Sequence, residues 1–131
     1  MRSVVIEKPN QLTLEERPIP LPGKNEVRVR IKSASICGSD IHIWHGHNPF
    51  AKYPRVIGHE FSGVIDAVGE SVAKTRLGER VAVDPVVNCG HCYPCLIGKP
   101  NVCKSLSVIG VHRDGGFSEY ACVPQYNAKV I

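Results

Sequence analysis

Alternation is the clearest signal along this chain. Across Glu26-Val27-Arg28-Val29-Arg30-Ile31-Lys32, apolar and charged positions exchange at every step. Side chains along a strand point to opposite faces in turn. Val27, Val29 and Ile31 therefore share one face, and Arg28, Arg30 and Lys32 the other. The pattern predicts a half-buried strand whose basic face is solvated. Weaker patterns predict strands over residues 3–7, 12–16, 61–68, 80–83 and 117–123. Pro18, Pro20 and Pro22, followed by Gly23, break the chain before the alternating segment, and Gly58, Gly63 and Gly69 bracket the 61–68 strand. A short helix is predicted over 39–44, with Ser39 or Asp40 as its cap. No repeat, low-complexity tract or linker appears. The reading is a mainly β chain, a barrel or sandwich with short helical insertions.

Composition narrows this without redirecting it. A chain of 131 residues with 43% apolar and 21% charged positions suits one globular domain with a true core. Twelve glycines and ten prolines fit many turns and few long helices. Sixteen basic against twelve acidic residues leave +4, far from the dense basic stripe of a dedicated nucleic-acid binder. No apolar run approaches the roughly 20 residues of a membrane helix. The N-terminal segment meets Glu7 and Pro9 too soon for a signal peptide. The expectation is a cytoplasmic protein with no membrane partner. Six cysteines then read as metal ligands or buried thiols rather than disulfides.

Four of those cysteines are spaced C-x2-C-x2-C-x7-C: Cys89, Cys92, Cys95 and Cys103. Two intervening residues let a tight turn aim neighbouring thiolates at one ion, and Gly90 eases that turn. Four thiolates complete a tetrahedral zinc shell with no open position, so the expected role is structural. A bacterial iron–sulfur run would place three residues before its last cysteine and a proline after it. Here seven intervene and Lys104 follows, which favours zinc. His91 is expected to be an exposed loop residue. Cys122, in the last predicted strand, reads as a buried free thiol.

A second constellation combines Cys37-Gly38-Ser39-Asp40-Ile41-His42 with Gly58-His59-Glu60. A thiolate, an imidazole and a carboxylate can hold a second zinc with an open position. Taken singly, Cys37 and His59 read more readily as packed core residues than as ligands. The longer string Gly58-His59-Glu60-Phe61-Ser62-Gly63-Val64-Ile65-Asp66-Ala67-Val68-Gly69-Glu70-Ser71-Val72 adds a motif, G-H-E-x-x-G-x5-G-x-x-V.

With these residues the chain resembles the medium-chain, zinc-dependent alcohol and polyol dehydrogenases. The likeness runs from end to end. The wording Asn48-Pro49-Phe50-Ala51-Lys52-Tyr53-Pro54 is nearest to the sorbitol and threonine dehydrogenase branch and its bacterial starvation-sensing members. The resemblance implies a GroES-like β-barrel with a projecting four-cysteine zinc lobe at about residues 86–106. It implies Cys37 and His59 as catalytic zinc ligands, with Glu60 an occasional or alternative one. It implies that Ser39 accepts the substrate proton, that His42 passes it to solvent, and that Asp40 fixes the His59 tautomer. Cofactors would be one structural and one catalytic zinc, with NAD(P) in the parent enzyme. The substrate would be a small alcohol or polyol, and the parent a homo-oligomer. Trp44 and Ile43 would line the substrate pocket or, equally, sit in the core or at the barrel edge.

In that family a third catalytic ligand and a coenzyme-binding Rossmann domain lie further along the chain. No strand followed by G-x-G-x-x-G occurs within residues 1–131. The chain is therefore expected to be the catalytic domain of a longer dehydrogenase, inactive on its own, with Val130 and Ile131 frayed or packed on that further domain. The alternative reading is a small zinc module whose Arg28, Arg30, Lys32, Lys99 and Lys104 contact nucleic acid or protein. A co-chaperonin-like role stands last, because fold alone is a poor guide to function. Glu119 and Asp114 carry no pairing legible in the sequence.

Overall fold

Ten strands and two short helices make up the protein, and the computed structural model describes all residues from Met1 to Ile131. In chain order they are β1 (Arg2–Lys8), β2 (Gln11–Glu16), β3 (Glu26–Ser35), α1 (Gly38–Trp44), β4 (Arg55–Val56), β5 (Glu60–Val68), β6 (Arg80–Val83), β7 (Val86–Val87), α2 (Tyr93–Leu96), β8 (Ser107–Val108), β9 (Tyr120–Pro124) and β10 (Ala128–Val130). Single 3-10 turns occupy Lys74–Arg76, Pro100–Val102 and Gln125–Asn127. The main sheet runs β10-β6-β5-β3-β9 and is antiparallel throughout. A second sheet runs β2-β1-β4, and β7 pairs with β8 alone.

The alternating segment is the centre of the main sheet. Val27 and Val29 are fully buried, and with Phe61, Ile65, Val81 and Val123 they form the larger core. Each such side chain contributes roughly 1.5–3 kcal/mol through burial. The β3–β5 register slips between Arg28 and Val29 and again between Ile31 and Ser33. Such irregularities bend strands, and here they curl the sheet into a half-barrel. Gly63 serves that close approach, because a Cβ there would run into the Arg30 carbonyl. A second core of Ile6, Ile43, Ile57 and Val111 holds α1 against the smaller sheet, with Trp44 and Phe117 packed on it.

The basic face of β3 is not uniformly solvated. Arg28 pairs with Asp66 at 2.9 Å, donates to the Pro20 carbonyl at 3.1 Å and lies over the Tyr120 ring, while Arg30 and Lys32 are exposed. The helix begins at Gly38 with Cys37 as its cap, so neither Ser39 nor Asp40 caps it by position. Asp40 instead reaches back from the first turn to accept the Cys37 N–H at 2.9 Å. The last predicted strand is shorter than 117–123: Phe117 to Glu119 lie outside the ladder, where Ser118 makes one bridge to Ser3. The chain end is not frayed. Lys129 and Val130 pair with Ala82 and Val81, although Val130 and Ile131 expose their side chains. Asp114 pairs with Arg17 and Arg55, each at 3.1 Å, and Glu119 with Arg2 at 3.5 Å. Cys122 is half-buried, and burial pushes its thiol up to about 11. No helix is long and apolar enough to cross a membrane.

Candidate metal centres

The β3–β5 ladder creates the first centre. Ser35, the last residue of β3, stands opposite Glu60, the first of β5. The chain leaving β3 therefore delivers Cys37 beside the His59-Glu60 pair entering β5. The Cys37 sulfur, a His59 ring nitrogen and a Glu60 carboxylate oxygen lie within 4.8 Å of one another. Cys37 and His59 are half-buried and Glu60 is exposed, so the centre sits at the surface with one side open.

Asp40 organises this centre from beneath. Only 1% of it is exposed. One carboxylate oxygen accepts the Cys37 N–H at 2.9 Å; the other accepts the Gly58 N–H at 3.2 Å and stands 3.4 Å from His59 Nδ1. His59 Nδ1 is itself buried and has no hydrogen-bond partner. The charge of Asp40 at that distance favours a proton on Nδ1, which leaves the lone pair on Nε2. Nε2 lies 3.3 Å from the Ser39 hydroxyl. A soft thiolate, a neutral imidazole and a carboxylate, with that orphaned N–H backed by a buried acid, fit zinc.

Ser35 escapes any reading of the sequence, because only the register brings it to the site. Its hydroxyl donates to Glu60 Oε2 at 2.6 Å. That bond holds the Glu60 carboxyl below the usual carboxylate range, helped by the Cys37 thiol and the His59 ring. His42 is exposed near the end of α1. Ile43 takes the core role, fully buried in the second core, while Trp44 borders a cavity. That cleft, about 670 Å³ and mostly apolar, runs beside α1 between Ile36, Ile41, Trp44, Ile57 and Phe117.

The second centre is local. Cys89, Cys92, Cys95 and Cys103 converge within 4.8 Å, with Cys92 Sγ 3.5 Å from Cys95 Sγ and 3.8 Å from Cys103 Sγ. None forms a disulfide. A tetrahedron with Zn–S bonds of about 2.3 Å has edges of about 3.8 Å, so the observed spacing suits zinc. Backbone N–H groups point at the sulfurs, from Cys92 to Cys89 Sγ at 3.4 Å and from Cys89 and Ser105 to Cys103 Sγ at 3.3 Å each. Backbone donors from Lys104 and Cys95 pull the Cys92 thiol down to about 6, while burial and the neighbouring Cys92 push Cys95 up to about 12. His91 is exposed and turned to the Cys89 carbonyl at 2.8 Å.

Comparison with known proteins agrees with this architecture. The family model described as alcohol dehydrogenase GroES-like domain matches residues 23–131. The chain is 73% identical over 128 residues to the starvation-sensing protein RspB of Escherichia coli (strain K12), covering 98% of this chain and 38% of that protein. It is 49% identical over 127 residues to L-galactonate-5-dehydrogenase of the same organism, covering 97% and 37%. A solved alcohol dehydrogenase from E. coli CFT073, complexed with NADH, matches with a TM-score of 0.95 at 70% identity, covering all of this chain and 38% of that one. The chain spans under two fifths of the length of these relatives.

Proposed function

Because this chain belongs to the alcohol dehydrogenase GroES-like domain family, we propose that it is the catalytic domain of a zinc-dependent oxidoreductase that moves hydride from a CH–OH group to NAD(P). The observation that carries this is the convergence of Cys37, His59 and Glu60 within 4.8 Å over the buried Asp40. Similarity to L-galactonate-5-dehydrogenase directs the substrate toward small polyhydroxy compounds, and similarity to an enzyme solved with NADH directs the coenzyme toward NAD. The whole protein would work in the cytoplasm as a homo-oligomer. The zinc-module reading is not favoured, since Arg28 is committed to Asp66 rather than free for phosphate.

Zinc held by Cys37 and His59, with Glu60 as an alternative ligand, would polarise an alcohol oxygen, lower its pKa and favour release of hydride to nicotinamide. The chain's own groups handle the proton. Ser39 stands beside His59 Nε2 and accepts the hydroxyl proton of the substrate. His42 follows three residues later, on the same face of α1, and is exposed, so it passes that proton to water. Asp40 keeps the His59 lone pair on Nε2. The four-cysteine centre is structural. The 131 residues build a half-barrel and a lobe but no nucleotide fold, so by themselves they transfer no hydride.

Cobalt tests the reading, because its visible spectrum reports thiolate ligation. Added to protein whose lobe already holds zinc, Co²⁺ should produce a thiolate-to-cobalt band that Cys37→Ser and His59→Ala abolish. A band indifferent to both substitutions refutes the assignment.

A further inference from the structure

Outside both cysteine-containing centres, three histidines cluster at and just after the end of α1. His42, His45 and His47 are all exposed within six residues. The turn between them is tightly built. Gly46 takes a left-handed conformation (φ 80°), and a Cβ there would meet Pro9 at 2.7 Å. The His47 N–H donates to the His42 carbonyl at 2.8 Å, which folds the third histidine back over the first. The His42 and His47 rings lie 6.2 Å apart; those of His45 and His47 lie 5.7 Å apart and inclined by only 25°.

The histidine at the bend is already oriented. His45 Nδ1 is 3.0 Å from the side-chain carbonyl oxygen of Asn10, an acceptor, so the ring proton is on Nδ1 and the lone pair on Nε2. Asn10 is itself fixed, with a left-handed backbone (φ 62°) and its N–H donating to the Trp44 carbonyl at 2.7 Å. A carbonyl holding the far nitrogen of an exposed imidazole is the usual support of a metal-ligating histidine. With metal–nitrogen bonds of about 2.0–2.1 Å, two imidazoles sharing an ion have centroids about 4.5–6.4 Å apart. Both observed separations fall within that range. The three side chains are exposed, and their ligand nitrogens must turn about the side-chain bonds to face one ion.

We propose that His42, His45 and His47 form a surface site for a late first-row divalent ion such as Ni²⁺, Cu²⁺ or Zn²⁺, separate from both cysteine centres. Neutral imidazoles without thiolate or carboxylate select this class over Mg²⁺ or Ca²⁺. Where the proton path proposed above holds, an ion here takes the lone pair of His42 out of proton traffic, so surplus metal slows the parent enzyme.

Trp44 is the sole tryptophan, and its ring lies 4.6 Å from His45. A paramagnetic ion at the site must quench it. Zinc-loaded protein titrated with Ni²⁺ should lose Trp44 fluorescence along a saturable curve with one ion per chain. His45→Gln and His47→Gln should each weaken that binding by about tenfold or more, while His91→Gln and His112→Gln leave it unchanged. Mg²⁺ should not compete. The proposal is overturned if quenching fails to saturate, or if a double His45→Gln, His47→Gln variant that retains its zinc gives the parent curve. If His42 carries no proton, the Ni²⁺ curve is unaffected, so the two ideas fail separately.

Discussion

The four-cysteine lobe and the Cys37 centre use the same kind of donor in opposite ways. The lobe draws all its ligands from the span Cys89 to Cys103, and backbone N–H groups of that same loop stabilise the thiolates. It needs little from the rest of the molecule. The Cys37 centre draws Cys37 from the turn after β3, His59 from the residue before β5 and Glu60 from the first position of β5, so it exists only when the sheet has formed. A closed loop makes a stable, inert site. A centre assembled across two strands keeps one side open and can be tuned by neighbours such as Asp40 and Ser35. Local chelation suits a structural site, and long-range assembly suits a chemical one.

Removing one sulfur should break this comparison most forcibly. Cys103 is the one buried ligand of the lobe and accepts two backbone N–H groups. Structural zinc is worth an apparent ~10–16 kcal/mol in small zinc peptides, so a lost ligand removes most of the lobe's folding energy. Cys103→Ser should cost about one zinc per chain by elemental analysis and open residues 86–106 to protease. The cobalt band assigned to Cys37 should persist. Loss of that band as well would show that the two centres are not independent.

The same contrast explains what was legible in the sequence. The spacing of Cys89, Cys92, Cys95 and Cys103 reads directly, because a local chelate writes itself into neighbouring positions. The alternation of Glu26 to Lys32 reads as a strand because one face is buried and the other is not. The Cys37 centre is weaker on residues alone, because its members are far apart in the chain, and its roles are legible only through family resemblance. Ser35 was invisible, since only the β3–β5 register brings it to Glu60. The two-residue strands β4, β7 and β8 are too short to carry a period. By position either Ser39 or Asp40 reads as the helix cap, whereas the Asp40 carboxylate works backward onto Cys37 and sideways onto Gly58.

Asp40 offers the next largest effect and sharpens the comparison. Asp40→Asn keeps the size of the side chain but removes the charge behind His59 Nδ1. Groups that orient metal ligands are typically worth 10–100-fold in affinity. Cobalt affinity at the Cys37 centre should fall within that range, and an imperfectly satisfied buried amide should cost about 1–3 kcal/mol of stability by urea unfolding. The lobe should retain its zinc throughout. Unchanged cobalt affinity would reduce Asp40 to a helix-capping residue.

The smallest effect concerns the loop that carries the chain from the lobe back to the half-barrel. Arg113 lies on the loop that leads from β8 back to β9, and its guanidinium meets Glu26 at the start of β3 at 2.5 Å and the Cys122 carbonyl at 3.0 Å. Burial pushes the Glu26 carboxyl up, but the Arg113 guanidinium and the Gly23 N–H outweigh it and hold it below the usual value. A carboxyl lowered by folding stabilises the protein above its unfolded pKa, and that contribution is lost as pH falls through the folded value. Arg113→Gln should therefore cost no more than about 1 kcal/mol at pH 7, since both groups are partly solvated. The deficit relative to the parent should shrink as pH falls below the ordinary carboxylate range and vanish once Glu26 is protonated in the folded parent as well. Urea midpoints of both proteins at each pH measure this, and acid release of lobe zinc enters both alike. A deficit that stays constant with pH would assign the role of Arg113 to its bond with the Cys122 carbonyl, making its hold on the half-barrel a matter of backbone anchoring rather than charge.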